Sequence, residues 1–217
     1  MRSHATTPAS DVTNVYVDGF NLFYGALKGT PYKWLDLAAL SRILLPRDNI
    51  GLIRYFTARV ASRPDDPAQH RRQNAYLRAL EANPTIVTHL GLFKTTQVRA
   101  RLVCPPVGGP KTTLIYKTEE KRTDVNLASY LLLDAFKEAC TTAVLITNDS
   151  DLAEPVQIVR REFGIRVGIV NPQKSHKQSH ELQCDFFKQL RESDVAGAQL
   201  PDPVLAAGGK IYRPRGW

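Results

Sequence analysis

The chain is 217 residues long, and its 29 Lys and Arg residues outnumber its 21 Asp and Glu residues, which gives a formal net charge of +8. This length supports one sizeable domain, and the three cysteines, at positions 104, 140 and 184, lack the spacing of a disulfide framework or a zinc finger. No segment approaches the roughly 18 apolar residues of a membrane helix, and no apolar leader follows Met1, so we expect a cytoplasmic protein.

Short apolar segments that predict strands alternate with longer segments of helical periodicity. In chain order, strands are predicted over residues 12–17, 51–60, 143–147 and 166–170, and helices over 34–45, 67–82, 123–139, 152–163 and 180–191. Residues 85–117 predict a strand followed by a hairpin, and Thr123 is the predicted N-cap of its helix. This alternation is typical of an α/β protein with a mostly parallel central sheet.

The two ends of the chain differ in composition from this middle part. Residues 1–11 predict a disordered N-terminal tail, and residues 193–217 a basic C-terminal tail rich in Pro and Gly, which leaves 12–192 as the folded domain. The sequence leaves open whether the C-terminal segment is a linker, a binding tail or a segment folded back on the domain.

Acidic residues follow two of the predicted strands and begin one predicted helix. Asp18 ends the first strand, Asp149 and Asp151 follow the strand at 143–147, and Asp124 lies in the first turn of the helix that begins at Thr123. Ligands of parallel sheets bind beyond the carboxyl ends of the strands, so these side chains are expected at one edge. Converging carboxylates repel one another unless a cation lies between them, and Mg²⁺ or Mn²⁺ suits a site without His or Cys.

Three of these four carboxylates also have an ordinary structural explanation, whereas Asp149, which directly follows an apolar strand, is the hardest to explain as part of a simple turn. Asp18 could only end its strand in a turn, Asp151 and Glu154 form a capping-box pattern, and Asp124 complements the dipole of its helix. Asp134, ten residues after Asp124, lies about 15 Å farther along the same helix and is too distant to share an ion.

Basic residues near this edge are candidates for holding a negatively charged substrate. Lys117, Lys121 and Arg122 come directly before Asp124, close enough to contact a phosphate. A second group lies between residues 51 and 104 and comprises Arg54, Arg59, Arg63, Arg71, Arg72, Arg99 and Arg101. For this group, a solvated surface without a binding role is the alternative explanation. The positive net charge favours encounters with polyanions.

Three motifs give the chain a resemblance to a known family. VYVDGFNL at 15–22, KRTDVNLA at 121–128 and TNDSDL at 147–152 resemble the NYN domain, a PIN-like group of metal-dependent ribonucleases that includes the LabA-like proteins. The resemblance covers about residues 12–191 and implies a PIN-like Rossmannoid three-layer sandwich.

The resemblance also implies an acidic pocket that binds Mg²⁺ or Mn²⁺ and hydrolyses RNA phosphodiesters. Its catalytic and metal-binding positions match Asp18, Asp124, Asp149 and Asp151, with Asn21 as a further catalytic residue. Thr147, Asn148 and Ser150 join Lys117, Lys121 and Arg122 as predicted substrate-binding residues. Two positions depart from the family pattern, since Asn148 replaces a common Gly and Tyr130 replaces an acid that some members carry.

The expected partner is RNA, although this chemistry does not exclude DNA, and a homodimer is possible while a membrane is not expected. A catalytically weak nucleic-acid-binding or scaffold module with the same fold is the main alternative. A phosphatase of the aspartyl-phosphate type is disfavoured because Phe20 stands where that class places a second Asp.

Overall fold

The computed structural model describes residues 11–62, 66–174 and 179–217. Residues 1–10 of the predicted N-terminal tail and Arg63 of the predicted basic group lie outside these residues. The strands are β1 (Thr13–Asp18), β2 (Ile50–Ala58), β3 (Ile86–Arg101), β4 (Thr112–Lys121), β5 (Thr142–Ile146), β6 (Arg166–Asn171), β7 (Phe186–Gln189), β8 (Val204–Ala206) and β9 (Gly209–Ile211). The α-helices are α1 (Gly19–Leu22), α2 (Leu37–Leu44), α3 (Gln69–Glu81), α4 (Thr123–Phe136), α5 (Ala153–Phe163) and α6 (Glu192–Gly197), and a π-helical turn covers Phe23–Leu27.

Seven of these strands form one sheet in the order β4-β3-β2-β1-β5-β6-β7. Every neighbouring pair is parallel except β3 and β4, which form the predicted hairpin. Helices cover both faces of the sheet, because successive strand residues point to opposite sides and both sides are apolar. The predicted α/β fold with a mostly parallel central sheet is confirmed.

The core consists of two apolar clusters, one on each face of the sheet. Val15 and Val17 of β1 face α1, α2, α3 and α6, and Trp34 is buried among them. Tyr16 faces the opposite side, where Leu127 of α4 and side chains of α5 pack on it. None of the helices in the described part of the chain is long and apolar enough to cross a membrane.

A buried ion pair lies between the sheet and α4. Arg54 donates two hydrogen bonds to Asp134, at 2.7 and 2.6 Å, and the Tyr16 hydroxyl donates a third at 2.8 Å. His89 stacks on Phe56 and accepts from Arg54, while its burial and the nearby guanidinium lower the pKa of His89 to about 4. Arg54 therefore serves the core instead of a substrate surface, which corrects its predicted role.

Two local predictions need correction. Residues 180–191 do not form a helix but contain β7, which adds Phe186 and Phe187 to the parallel edge of the sheet beside β6. The N-cap of α4 is Arg122, in a left-handed conformation with φ of 81°, whereas the Thr123 side chain donates a hydrogen bond to Glu120. The first difference arises from pairing with β6, which local periodicity does not report, and the second from a local hydrogen bond between residues three apart.

The C-terminal segment, predicted as a Pro- and Gly-rich tail over residues 193–217, is folded back on the domain, which is one of the three alternatives that the sequence left open. The Trp34 indole donates to the Pro201 carbonyl at 3.1 Å, and the Leu200 amide donates to the Trp34 carbonyl at 2.9 Å. Val204 and Ile211, paired across the β8–β9 hairpin, are both buried in the core cluster that contains Trp34. A few buried apolar side chains, such as Val204 and Ile211, therefore anchor this segment, although its Pro and Gly content hides any strand or helix pattern in the sequence.

Ile211→Ala should lower the free energy of unfolding by about 2–4 kcal/mol, because it removes a buried side chain from the core. Leu205→Ala on the same hairpin is the matched control and should change it by less than about 0.5 kcal/mol, because Leu205 is 73% exposed. Urea denaturation followed by circular dichroism measures both changes. Equal, negligible effects would contradict the docking of this segment.

A candidate metal centre at the carboxyl edge of the sheet

The candidate site lies where the order of the sheet reverses. From β1 the chain proceeds outward through β2 and β3, whereas from β5 it proceeds in the opposite direction through β6 and β7. The two crossovers diverge between the carboxyl ends of β1 and β5 and leave a crevice there, which is the usual ligand position in such sheets. Asp18 ends β1, and Thr147 to Asp151 follow β5 at this point.

Asp18 is fixed at the base of this crevice. Its Oδ1 accepts hydrogen bonds from the backbone amides of Phe20 and Asn21, at 3.1 and 2.9 Å, so it caps α1. Its Oδ2 accepts from the Thr147 hydroxyl at 3.0 Å. The side chain is only 3% exposed, and this burial raises the pKa of Asp18, assisted by the nearby charge of Asp149 and opposed by the hydrogen bonds.

Thr147 connects the carboxylates of the two strands. While its hydroxyl donates to Asp18, the same oxygen accepts from the Asp149 amide at 3.1 Å. Asp149 in turn caps the 3-10 turn at Ser150–Leu152 by accepting from the Asp151 amide. Thr147 is completely buried, and its two hydrogen bonds orient the carboxylates of Asp18 and Asp149.

Asp124 of α4 provides the third carboxylate. It lies half-buried in the first turn of α4, directly after β4 returns to the sheet. Burial raises the pKa of Asp124 to about 6, and the charges of Asp18, Asp149, Glu120 and Asp151 act in the same direction. Several negative groups therefore converge on a partly desolvated space.

The geometry suits a divalent cation. One carboxylate oxygen from each of Asp18, Asp124 and Asp149 lies within 4.8 Å of the other two. Three oxygen donors without a nitrogen or sulfur ligand are the set preferred by Mg²⁺ and Mn²⁺, which commonly keep waters in their remaining positions. A cation would also offset the mutual repulsion that the three carboxylates otherwise create.

The other predicted site residues of the two strand-end turns surround this cluster. Asp151 is exposed and lies outside the set of three, although it is close enough to affect Asp124. Asn21 accepts from the Asn148 amide at 3.3 Å, and the Asn148 side chain accepts from the Ser179 amide at 2.9 Å. Ser150 is partly exposed at the start of the 3-10 turn. Asn21 and Asn148 thus join the two turns across the crevice.

The three predicted basic residues differ in their environments. Lys117 and Lys121 pair with Glu119 on the hairpin, at 2.5 and 3.2 Å, and so form a small exposed ion-pair network. Arg122 is exposed immediately before α4, two residues from Asp124. Of the three, Arg122 lies nearest in the chain to Asp124. Glu119 pairs with the two lysines and not with Arg122.

Two residues near the site were not predicted from the sequence. Glu120 accepts a hydrogen bond from the Thr123 amide at 3.1 Å and another from its hydroxyl, which holds it beside Asp124. Gln173 donates to the Asn21 carbonyl oxygen at 3.5 Å from the loop after β6. The acidic pair before KRTD was a visible signal for Glu120, whereas nothing in the sequence indicated Gln173.

Mn²⁺ should stabilise the wild-type protein, because an ion that binds only the native state at 100 times its Kd adds about 2.7 kcal/mol. For a chain of this size that is a rise in Tm of roughly 5–10 °C. The Asp124→Asn variant should lose this rise yet match or exceed the wild-type Tm in chelator, since one repelling charge is gone.

Differential scanning calorimetry at about pH 7.5, where Asp124 is ionised, provides the measurement. Glu162→Gln, which removes an exposed carboxylate at the far end of α5, is the control and should keep the full response to Mn²⁺. An undiminished response in Asp124→Asn would contradict the assignment.

Comparison with known proteins identifies the family of this chain. The model of the NYN domain matches residues 12–190. The chain is 32% identical to 6-hydroxy-3-succinoylpyridine 3-monooxygenase HspA of Pseudomonas putida, over 94% of this chain and 75% of that protein. Its fold is similar to the crystal structure of VPA0982, a protein of unknown function from Vibrio parahaemolyticus, with a TM-score of 0.54 at 13% identity, covering 90% of this chain and 99% of that one. The chain therefore belongs to the NYN domain family.

Proposed function

We propose that the protein is a metal-dependent nuclease that hydrolyses phosphodiester bonds of RNA. One observation carries the proposal: three carboxylates from separate parts of a NYN domain meet within 4.8 Å at the switch point of the sheet. Burial and the neighbouring carboxylates raise the pKa of Asp18 and of Asp124, so their negative charges oppose folding unless a cation offsets them, which favours a functional role over a structural one.

The three carboxylates Asp18, Asp124 and Asp149 would hold Mg²⁺ or Mn²⁺. When bound, such an ion neutralises charge on the phosphate and lowers the pKa of a coordinated water. Asp18 contributes a fixed oxygen because three hydrogen bonds prevent its rotation. Asp124 and Asp149 are more accessible and would complete the ligand set toward the solvent.

Residues at the rim would orient the reacting groups. Asp151 is exposed beside the cluster and could accept a proton from the attacking water. The Asn21 carbonyl oxygen faces the Asn148 amide, which leaves the Asn21 amino group to donate to a phosphate oxygen. Ser150 and Asn148 line the same turn, and Arg122 with Lys121 would attract the phosphate backbone.

The experiment is cleavage of an end-labelled single-stranded RNA by wild type and Asp149→Asn, each with Mn²⁺, Mg²⁺ or chelator. We expect metal-dependent cleavage that falls by at least about 100-fold in the variant, since even indirect partners of a metal cost roughly 10- to 100-fold. Asn retains the capping geometry of Asp149, so the loss would report the ligand.

Glu162→Gln should cleave at the wild-type rate. Cleavage that survives in Asp149→Asn would indicate another active site or a contaminant. Equal RNA binding in chelator without cleavage in any metal would favour the catalytically weak binding module instead.

A second candidate function follows from the relative named a monooxygenase and from a cavity beside the site. The cavity has a volume of about 170 Å³, adjoins Gly19, and is lined by aromatic rings, among them Phe20, Tyr24, Tyr55 and Trp217. Such a space could take a pyridine ring by stacking. A monooxygenase also needs O₂ and a reductant, so oxygen consumption with 6-hydroxy-3-succinoylpyridine and a reduced nicotinamide tests this activity.

If the chain shares that activity, oxygen uptake should depend on the pyridine and fall in Tyr24→Ala. Tyr212→Ala is the control, because Tyr212 is exposed and does not line the cavity. No pyridine-dependent uptake, together with metal-dependent RNA cleavage, would dismiss this candidate and retain the nuclease.

A further inference from the structure

The β3–β4 hairpin projects beyond the sheet as a two-stranded arm. Strand β3 pairs with β2 only as far as Gly91, and its next ten residues pair with β4 alone. We refer to residues 92–101 and 112–121 as the arm. At about 3.3 Å per residue its strands are roughly 33 Å long. Because β3 runs parallel to β1 and β2, the arm continues past the carboxyl edge, which is the edge that carries the acidic cluster.

The register of the arm separates its side chains into two faces. One, the site face, carries Phe93, Thr95, Gln97, Arg99 and Arg101 opposite Glu120, Thr118, Tyr116, Leu114 and Thr112. Hydrogen bonds across this face join Thr95 to Thr118 at 2.9 Å and Gln97 to the Tyr116 hydroxyl at 2.9 Å. The other, the far face, carries Lys94, Lys117, Glu119 and Lys121.

The site face is continuous with the acidic cluster. At its base the Phe93 ring contacts the Phe20 ring edge-on, with centroids 5.6 Å apart, and Phe20 is two residues from Asp18. Opposite Phe93, Glu120 holds the start of α4 and lies close enough to Asp124 to raise its pKa. A strand bound at the cluster could therefore continue along this face without crossing the sheet.

The two faces differ in how their positive charges are balanced. On the far face Glu119 pairs with both Lys117 and Lys121, and these ammonium groups lower the pKa of Glu119. On the site face Arg99 and Arg101 lie opposite Leu114 and Thr112, so no carboxylate of the arm stands across from them. Both arginines are exposed and remain available for phosphate groups.

Tyr116 gives the site face an aromatic surface. It is 74% exposed although its hydroxyl is held by Gln97, so the ring is fixed at its edge and open to the solvent. An exposed ring beside arginines is the combination that binds unpaired nucleotides, because bases stack on the ring while cations contact the backbone. A double-stranded RNA would not suit it, since its bases are stacked on one another and leave no free face for the Tyr116 ring.

We propose that the site face of the arm binds the single strand of RNA that leads away from the metal centre, with Arg99 and Arg101 on its phosphates and Tyr116 against a base. This inference rests on the proposed nuclease function and deepens it, because it defines the substrate as an unpaired strand of some length. Arg99 lies seven residues beyond Leu92, about 23 Å along the arm, so a dinucleotide cannot reach it.

The test is the binding of a fluorescent single-stranded RNA of about 20 nucleotides, measured by anisotropy in chelator over a series of salt concentrations. Arg99→Gln/Arg101→Gln should weaken binding by roughly 10- to 30-fold at about 0.1 M salt and reduce the salt slope by about 1.4, the value for two lost phosphate contacts. Arg42→Gln/Arg47→Gln removes the same charge from the exposed end of α2 and the loop after it, and should leave both quantities unchanged.

A second pair of variants tests the choice of face. Arg99→Gln should weaken binding, whereas Lys94→Gln, on the same strand but on the far face, should not. Equal losses in the two would overturn the proposal, because they would reflect net charge alone. Unchanged RNA binding combined with a shift from dimer to monomer in sedimentation would also overturn it and assign the arm to contacts between copies.

Cleavage assays separate this inference from the proposed function. With both correct, Arg99→Gln/Arg101→Gln cleaves a dinucleotide as wild type does but cleaves the long RNA more slowly. If no substrate is cleaved but the arm variant still binds RNA weakly, the nuclease function fails while the binding face stands. If wild type cleaves with metal and the arm variant binds and cleaves the long RNA equally well, only the arm proposal fails.

Discussion

The buried carboxylate of Asp18 is the constraint on which the site depends. It ends the central strand at 3% exposure, and three hydrogen bonds direct its oxygens. The hydrogen bond from Thr147, the residue after β5, to Asp18, the last residue of β1, holds the ends of these two strands together at the switch point. The same burial makes the negative charge of Asp18 unfavourable, so the fold itself favours a cation beside this carboxylate.

Another buried carboxylate of the fold, in contrast, has its charge neutralised by a paired cation. On the α4 side of the sheet, Asp134 is neutralised by Arg54 and hydrogen-bonded by Tyr16, so a second acidic residue of α4 is fully satisfied. Asp124, at the opposite end of that helix, is instead surrounded by carboxylates, whose charges raise its pKa. One helix thus carries a structural acid, Asp134, and an acid that we propose as a metal ligand, Asp124, and their different partners distinguish them.

Two extensions of the domain reach residues next to Asp18 in the chain. The C-terminal segment brings Trp217 to the Tyr76 ring of α3, with centroids 5.7 Å apart, and so closes the aromatic cavity beside Gly19. The arm extends from β3 on the side of Phe93. Phe20 contacts Phe93 at the base of the arm and also lines the cavity that Trp217 closes, so the residue after Gly19 is adjacent to both.

The sequence by itself determined the order of most strands and helices and the positions of Asp18 and Asp149, because an apolar run that stops at an acid is a local property of the chain. The tertiary structure decided which acids meet: it joined Asp124 to the cluster, left Asp151 outside it and enclosed Arg54 with Asp134. It also turned residues 186–189 into a strand and docked Ile211 in the core. Those outcomes depend on contacts between segments far apart in sequence, which no local pattern of residues encodes.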